Sequence, residues 1–122
     1  MADRSPLVAL GALNAAIAVA AGAFAAHALE DRLDAHHLDV FETAARYHMY
    51  HALGMGLCAV AGVRRAGWLM QAGAAIFAGT LYALALSGVK VLGAITPIGG
   101  LLMMLGWADL AITCRRRTPS PR

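Results

Sequence analysis

All five histidines, Tyr47, Tyr50 and five of the seven carboxylates lie between Gly22 and Leu53. Histidine beside tyrosine suits hydrogen bonding, proton handling or metal ligation, so spacing decides among these uses. On a helix, i,i+3 and i,i+4 neighbours share a face, which groups Tyr47, Tyr50 and His51, with His48 flanking them. His51 is expected about 6 Å along the axis from Tyr47, just beneath the outer aromatic belt. His27 closes an earlier apolar segment at a similar depth. The bland arrangement of these residues is a hydrogen-bonded clasp of His27, Thr43, Tyr47 and His51 that joins two helices. A zinc-type site needs three or four donors at about 2.0 to 2.2 Å. His27, His48 and His51 come with no certain fourth donor, so no metal and no cofactor is expected.

Enzyme chemistry finds little support. The chain has no HExxH, no nucleophile elbow and no phosphate loop. His48 and His51 stand three apart without an adjacent glutamate. The net charge of +3 comes mainly from terminal arginines, which argues against a nucleic-acid partner.

The elements that must position these residues are apolar. Hydrophobic residues make up 60% of the chain and charged residues 14%, against roughly a quarter charged in soluble domains. Four segments are long enough for a hydrocarbon core that takes about 20 helical residues: 6–28, 44–63, 67–88 and 92–113. None carries the polar stripe of a soluble bundle helix. The expected fold is therefore all-α, a single domain over 1–122. It is a four-transmembrane-helix bundle with a short amphipathic interfacial segment, 30–42, between helices one and two and a basic disordered tail, 114–122. The first segment exceeds a secretory signal core in length and is expected to remain. Arg4, Arg64, Arg65, Arg115, Arg116, Arg117 and Arg122 fall on one side, against Arg32, Arg46 and Lys90 on the other. The positive-inside rule then places both termini in the cytoplasm of a bacterium and the histidine-rich connector outside the inner membrane.

Individual residues carry further expectations. Gly11, Ala15, Ala18, Gly22 and Ala26 lie close to one face and should meet another helix. Asn14 reads as an interhelical hydrogen bond, and Gln71 as a partner of headgroups or backbone. Glu42 and Arg46 are spaced to pair. Thr96-Pro97 reads as an N-cap followed by proline at the first helical position, leaving 89–95 as apolar chain folded near His27 and His51. Asp109, within reach of the Arg115–Arg117 cluster, reads as a solvated helix-end charge ahead of a proton relay. Cys58 and Cys114 read as packing residues.

GAFAAHAL (22–29), FETAARYHMYHAL (41–53), GTLYALAL (79–86), LGAITPIGG (92–100) and Gly106-Trp107 together resemble the YgdD-like family of small inner-membrane proteins. Eukaryotic relatives of that family look like small mitochondrial transmembrane proteins. The resemblance implies a four-span membrane protein and no established activity. Two positions depart from its pattern, which has Gly where Ala25 stands and Gln where His48 stands. The expected function is a non-catalytic structural or accessory component of a homo-oligomer or larger membrane complex, with the lipid bilayer as solvent. The alternative is a carrier or channel for a small solute, proton or metal ion through the outer-face histidines.

Overall fold

A computed structural model describes residues 6–119. Arg4 and Arg122 of the charge argument lie outside them. Four helices follow one another: α1 (Pro6–Phe24), α2 (Ala35–Ala61), α3 (Arg64–Ser87) and α4 (Leu92–Arg117), with α1 widening into a π-turn over Ala25–Leu29. Three helical stretches, Pro6–Leu29, Arg64–Ser87 and Leu92–Arg117, are long and apolar enough to cross a membrane. By the same measure α2, with its polar beginning and four histidines, falls short.

The ends of the helices follow from local chemistry. Asp34 caps α2 by accepting the His37 backbone N–H at 2.7 Å. That bond, with the His37 ring beside it, holds the Asp34 carboxyl below the usual carboxylate range. Gly62 ends α2 in the left-handed region at φ 73°, where a Cβ would be strained. Its N–H bonds the Ala59 carbonyl at 3.1 Å, and the next N–H, of Val63, bonds the Cys58 carbonyl at 2.9 Å. Arg117 then donates to the carbonyls of Ala61 and Gly62, each at 3.2 Å. Gly88 ends α3 at the same φ of 73°.

Four expectations change here. The interfacial segment is not a separate element: residues from Ala35 onward belong to α2, a helix of 27 residues, because Asp34 supplies a cap that starts it early. Pro97 lies inside α4 rather than at its start. The turn 88–91 is short enough for the helix to begin at Leu92, and the Pro97 ring sits on an exposed face. Thr96 is consequently buried rather than capping. The tail is helical as far as Arg117, whose bonds to the end of α2 give those residues a structural role.

Packing follows chain order. α1 lies along α2, α2 along α3 and α3 along α4, whereas α1 and α4 do not meet among the described residues. The result is an open array of four helices instead of a closed bundle. Close approach rests on small residues, as expected where lipid is as apolar as leucine and only van der Waals contact favours association. A Cβ on Gly99 would run into the Phe77 backbone, one on Gly73 would lie 2.8 Å from the Gly99 carbonyl, and one on Gly11 would lie 2.8 Å from the Ala52 carbonyl. On α1 the buried line is Leu7, Gly11, Ala18, Ala25 and Leu29. Gly22 and Ala26 are exposed. A seven-residue step stays on the seam of a left-handed helix crossing, while an eleven-residue step drifts off it.

Two separate cores result. At the end carrying the α2–α3 turn, Leu7, Met55, Cys58, Met70 and Leu110 belong to one buried cluster, in which α2 and α3 link the contributions of α1 and α4. At the opposite end Ala25, Leu29, Phe41 and Ala85 form a smaller cluster, extended by Phe41 against Phe24 and Tyr82, with ring centroids 6.2 and 4.9 Å apart.

Candidate functional site

Between the two cores, near the middles of α1 and α2, lie Asn14 and His48, the centre of a polar network. Asn14 is the pivot. Its Nδ2 donates to the Leu10 carbonyl and to Gln71 Oε1, both at 2.8 Å. Because a carbonyl can only accept, the Asn14 amide is oriented with Oδ1 toward His48. His48 Nε2–H therefore donates to Asn14 Oδ1 at 2.7 Å, and Nδ1 is left to accept from the Tyr82 hydroxyl at 3.1 Å. One backbone carbonyl thus sets the sense of a thread, Tyr82 to His48 to Asn14 to Gln71, that joins α3, α2 and α1. Residues 71 and 82 of α3 are separated by about 16 Å of helix rise.

His51, one turn along α2, faces the other way. The Tyr47 carbonyl accepts from Nδ1–H at 2.7 Å, so Nε2 accepts, taking the Trp107 indole N–H of α4 at 3.0 Å. Each imidazole serves once as donor and once as acceptor, which is the inventory of the neutral ring. No buried side-chain nitrogen or oxygen among the described residues lacks a partner. A third polar contact, Thr80 Oγ1 to Thr96 Oγ1 at 2.7 Å, ties α3 to α4. In all three cases an amide, hydroxyl or imidazole that would be costly in hydrocarbon is satisfied by another helix.

The expected clasp does not form. His27 is exposed on the π-turn, and neither it nor Thr43 makes a side-chain hydrogen bond among the described residues. Position 27 lies roughly opposite the buried Ala18 and Ala25 on the helix, and so faces away from α2. Tyr47 contributes its backbone carbonyl to His51 rather than its phenol. His48 and His51 do bridge helices, near the middle of α2, with partners that sequence reasoning did not pair. The signals were present: Asn14 is the one strongly polar residue of its segment, and Trp107 sits mid-helix rather than at an end. Gln71 bonds Asn14 instead of headgroups. Asp109 pairs with Arg65 of α3, in bonds of 3.1 and 2.6 Å, and is largely covered rather than a solvated helix-end charge. Glu42 and Arg46 form no ion pair, the described residues offering only His37–Asp34 and Arg65–Asp109. Cys58 is buried and Cys114 half-buried, both free.

Beside His51 the array is open. A cleft of about 680 Å³ separates α2 from α4 over the middle of α3, walled by Tyr47, Tyr50, His51, Phe77, Met103 and Trp107, with Leu53, Gly100 and Met104 at its edges. Tyr47 packs on Tyr50 and on Phe77, with centroids 5.4 and 5.3 Å apart. The Tyr47 and Tyr50 hydroxyls have no hydrogen-bond partner among the described residues. A second, smaller groove lies on the other flank, between α1 and α3, along Ile17, Phe24, Phe41 and Tyr82.

Residues 21–100 match the model of a family described as protein of unknown function (DUF423). A UPF0382 membrane protein of Staphylococcus epidermidis is 49% identical over 109 residues, covering 84% of this chain and 89% of the relative. The UPF0382 membrane protein YwdK of Bacillus subtilis is 43% identical over 111 residues, covering 84% and 90%. No solved structure matches the chain.

Proposed function

The chain belongs to the DUF423 family of proteins of unknown function, whose relatives here are named as membrane proteins, and from that premise we propose that it is a non-catalytic helical scaffold, a structural or accessory component that assembles with further copies or with a larger membrane complex. The observation that carries this reading is the open array: among the described residues α1 and α4 are edge helices without a neighbour on their outer sides. Added Cβ atoms at Gly22 of α1 and Gly79 of α3 would meet nothing within 4 Å. Exposed small residues of this kind are what close helix association in lipid uses. The internal polar groups support the same reading, since His48 and His51 spend both ring nitrogens holding helices together. A carrier would need such groups free along a path.

In this reading α2 crosses the membrane as a fourth span. It runs between α1 and α3 and is bonded to both at its middle through His48, so the slab that contains its neighbours contains it. Its polar side chains either face inward or, like Arg46, have stems long enough to snorkel toward the boundary. Arg64, Arg65 and Arg115–Arg117 at one end, against Arg32, Arg46 and Lys90 toward the other, support cytoplasmic termini in a bacterial inner membrane. The YgdD-like label and the kinship with mitochondrial proteins belong to the same reading and rest on the motifs quoted above.

The test is crosslinking in native membranes with Cys58→Ala, Cys114→Ser and a single Gly22→Cys. A discrete adduct with a second copy or with a protein of constant mass is expected. Protein that stays uncrosslinked and purifies as a monomer without companions would defeat the scaffold reading.

A further inference from the structure

Tryptophan and tyrosine in membrane helices gather at the lipid–water boundary, where the ring meets hydrocarbon and the polar atom meets water. Here Tyr47, Tyr50, Phe77 and Trp107 are half of the chain's phenylalanine, tyrosine and tryptophan residues, and they line one cleft at helix mid-depth. We propose that this cleft binds a quinone: a planar ring with two carbonyl oxygens, on a hydrophobic tail that leaves between α2 and α4 into the lipid. The proposal goes beyond the scaffold reading and requires only that the cleft lie in the membrane.

Three observations select this occupant. The volume, about 680 Å³, lies within the range of about 300 to 1,000 Å³ typical of small-molecule sites. The wall is aromatic on α2, α3 and α4 and bears no Asp, Glu, Lys or Arg. A charged headgroup would find no counter-ion there, whereas an electron-poor ring is attracted to the negative faces of aromatic side chains. The Tyr47 and Tyr50 hydroxyls supply two unpaired donors, and a quinone supplies two acceptors. A lipid tail in the same place would leave both donors unsatisfied, which is unfavourable where water is absent. His51 is not a ligand here. Its ring is committed to the Tyr47 carbonyl and the Trp107 indole, and so it fixes the position of the two aromatic walls.

The experiment uses the full chain in lipid nanodiscs with Trp68→Phe, leaving Trp107 as the sole indole, and decylubiquinone as the probe, because quinones quench indole emission at short range. Saturable quenching is expected. Gly100→Leu should abolish it: a Cβ at Gly100 meets only the edge of the Phe77 ring, at 3.8 and 3.9 Å, so the larger side chain fills the cleft without disturbing the helix contact. Tyr47→Phe with Tyr50→Phe keeps the shape and removes the donors, and should weaken binding about tenfold or more. Quenching that rises linearly and equally in the Gly100→Leu protein would mean simple partitioning and overturn the proposal. Saturable binding that is unchanged without the two hydroxyls, or that is displaced equally well by a brominated phospholipid, would overturn it too, identifying the cleft as a lipid-tail groove. A crosslink between copies leaves this result unaffected, so the two readings fail separately.

Discussion

The two flanks of α3 differ in residue type and, with it, in openness. Against α4, Gly73, Gly99 and Gly106 bring the backbones together so closely that added Cβ atoms would strike main chain or Met70 and Met103. Toward the gap between α2 and α4, two tyrosines, a phenylalanine and a tryptophan hold the helices apart and leave a cleft. In a solvent as apolar as the helices themselves, side-chain size sets separation, because no hydrophobic force squeezes out the gaps. Glycine therefore closes one seam while aromatic rings keep its neighbour open. Polar groups hold both spacings, Thr80 bonded to Thr96 across the seam and Trp107 to His51 across the cleft.

Neighbouring glycines give the sharpest way to break that contrast. Gly99→Val should separate α3 from α4 and cost about 1 to 3 kcal/mol, the usual penalty for overpacking, whereas Gly100→Leu should leave the unfolding temperature in detergent almost unchanged. Similar losses in both variants would mean that the α3–α4 seam does not depend on the close approach at Gly99. A smaller effect is expected at the thread. His48→Leu strands the Asn14 oxygen and the Tyr82 hydroxyl and should cost about 1 to 2 kcal/mol. His48→Gln, with an amide N–H for Asn14 and a carbonyl for Tyr82, should recover most of it, and unfolding curves of the three proteins would report the difference. The smallest effect belongs to the connector, which lies outside both seams. The Asp34 carboxyl is held below its unfolded value by the His37 backbone N–H and ring. Its contribution is therefore present above pH ~3.9 and is lost as pH falls through the lower folded value. Asp34→Ala should lower the unfolding temperature slightly at neutral pH and converge with the parent protein in acid. A gap that persists at low pH would show that the cap does not act through its charge.

Much of this was legible in the residues. Long apolar runs with no polar stripe announce helices in a nonpolar solvent, and the structure has four helices, of which α2 begins nine residues before its expected start at 44. Asn14 was readable as an interhelical bond because a lone amide in such a run has no cheaper partner. His27 was misleading for a definite reason. Its depth could be read from position along the chain, but which face of α1 turns inward is decided by packing, and position 27 lies roughly opposite the buried Ala18 and Ala25. Thr96-Pro97 misled similarly, since a cap motif and a buried threonine preceding an in-helix proline look alike until the length of the preceding turn is known.

Composition and order alone determined the helical class, the apolar solvent and the gathering of histidine and tyrosine on one helix, because these depend on transfer free energies and on a 3.6-residue period that every residue obeys locally. Only the tertiary structure decided that the array stays open, that His48 and His51 turn to opposite flanks, and that Trp107 meets His51 across a cleft. Those outcomes depend on crossing geometry and on which of several compatible hydrogen-bond partners lies within 3 Å, and both are properties of two helices together.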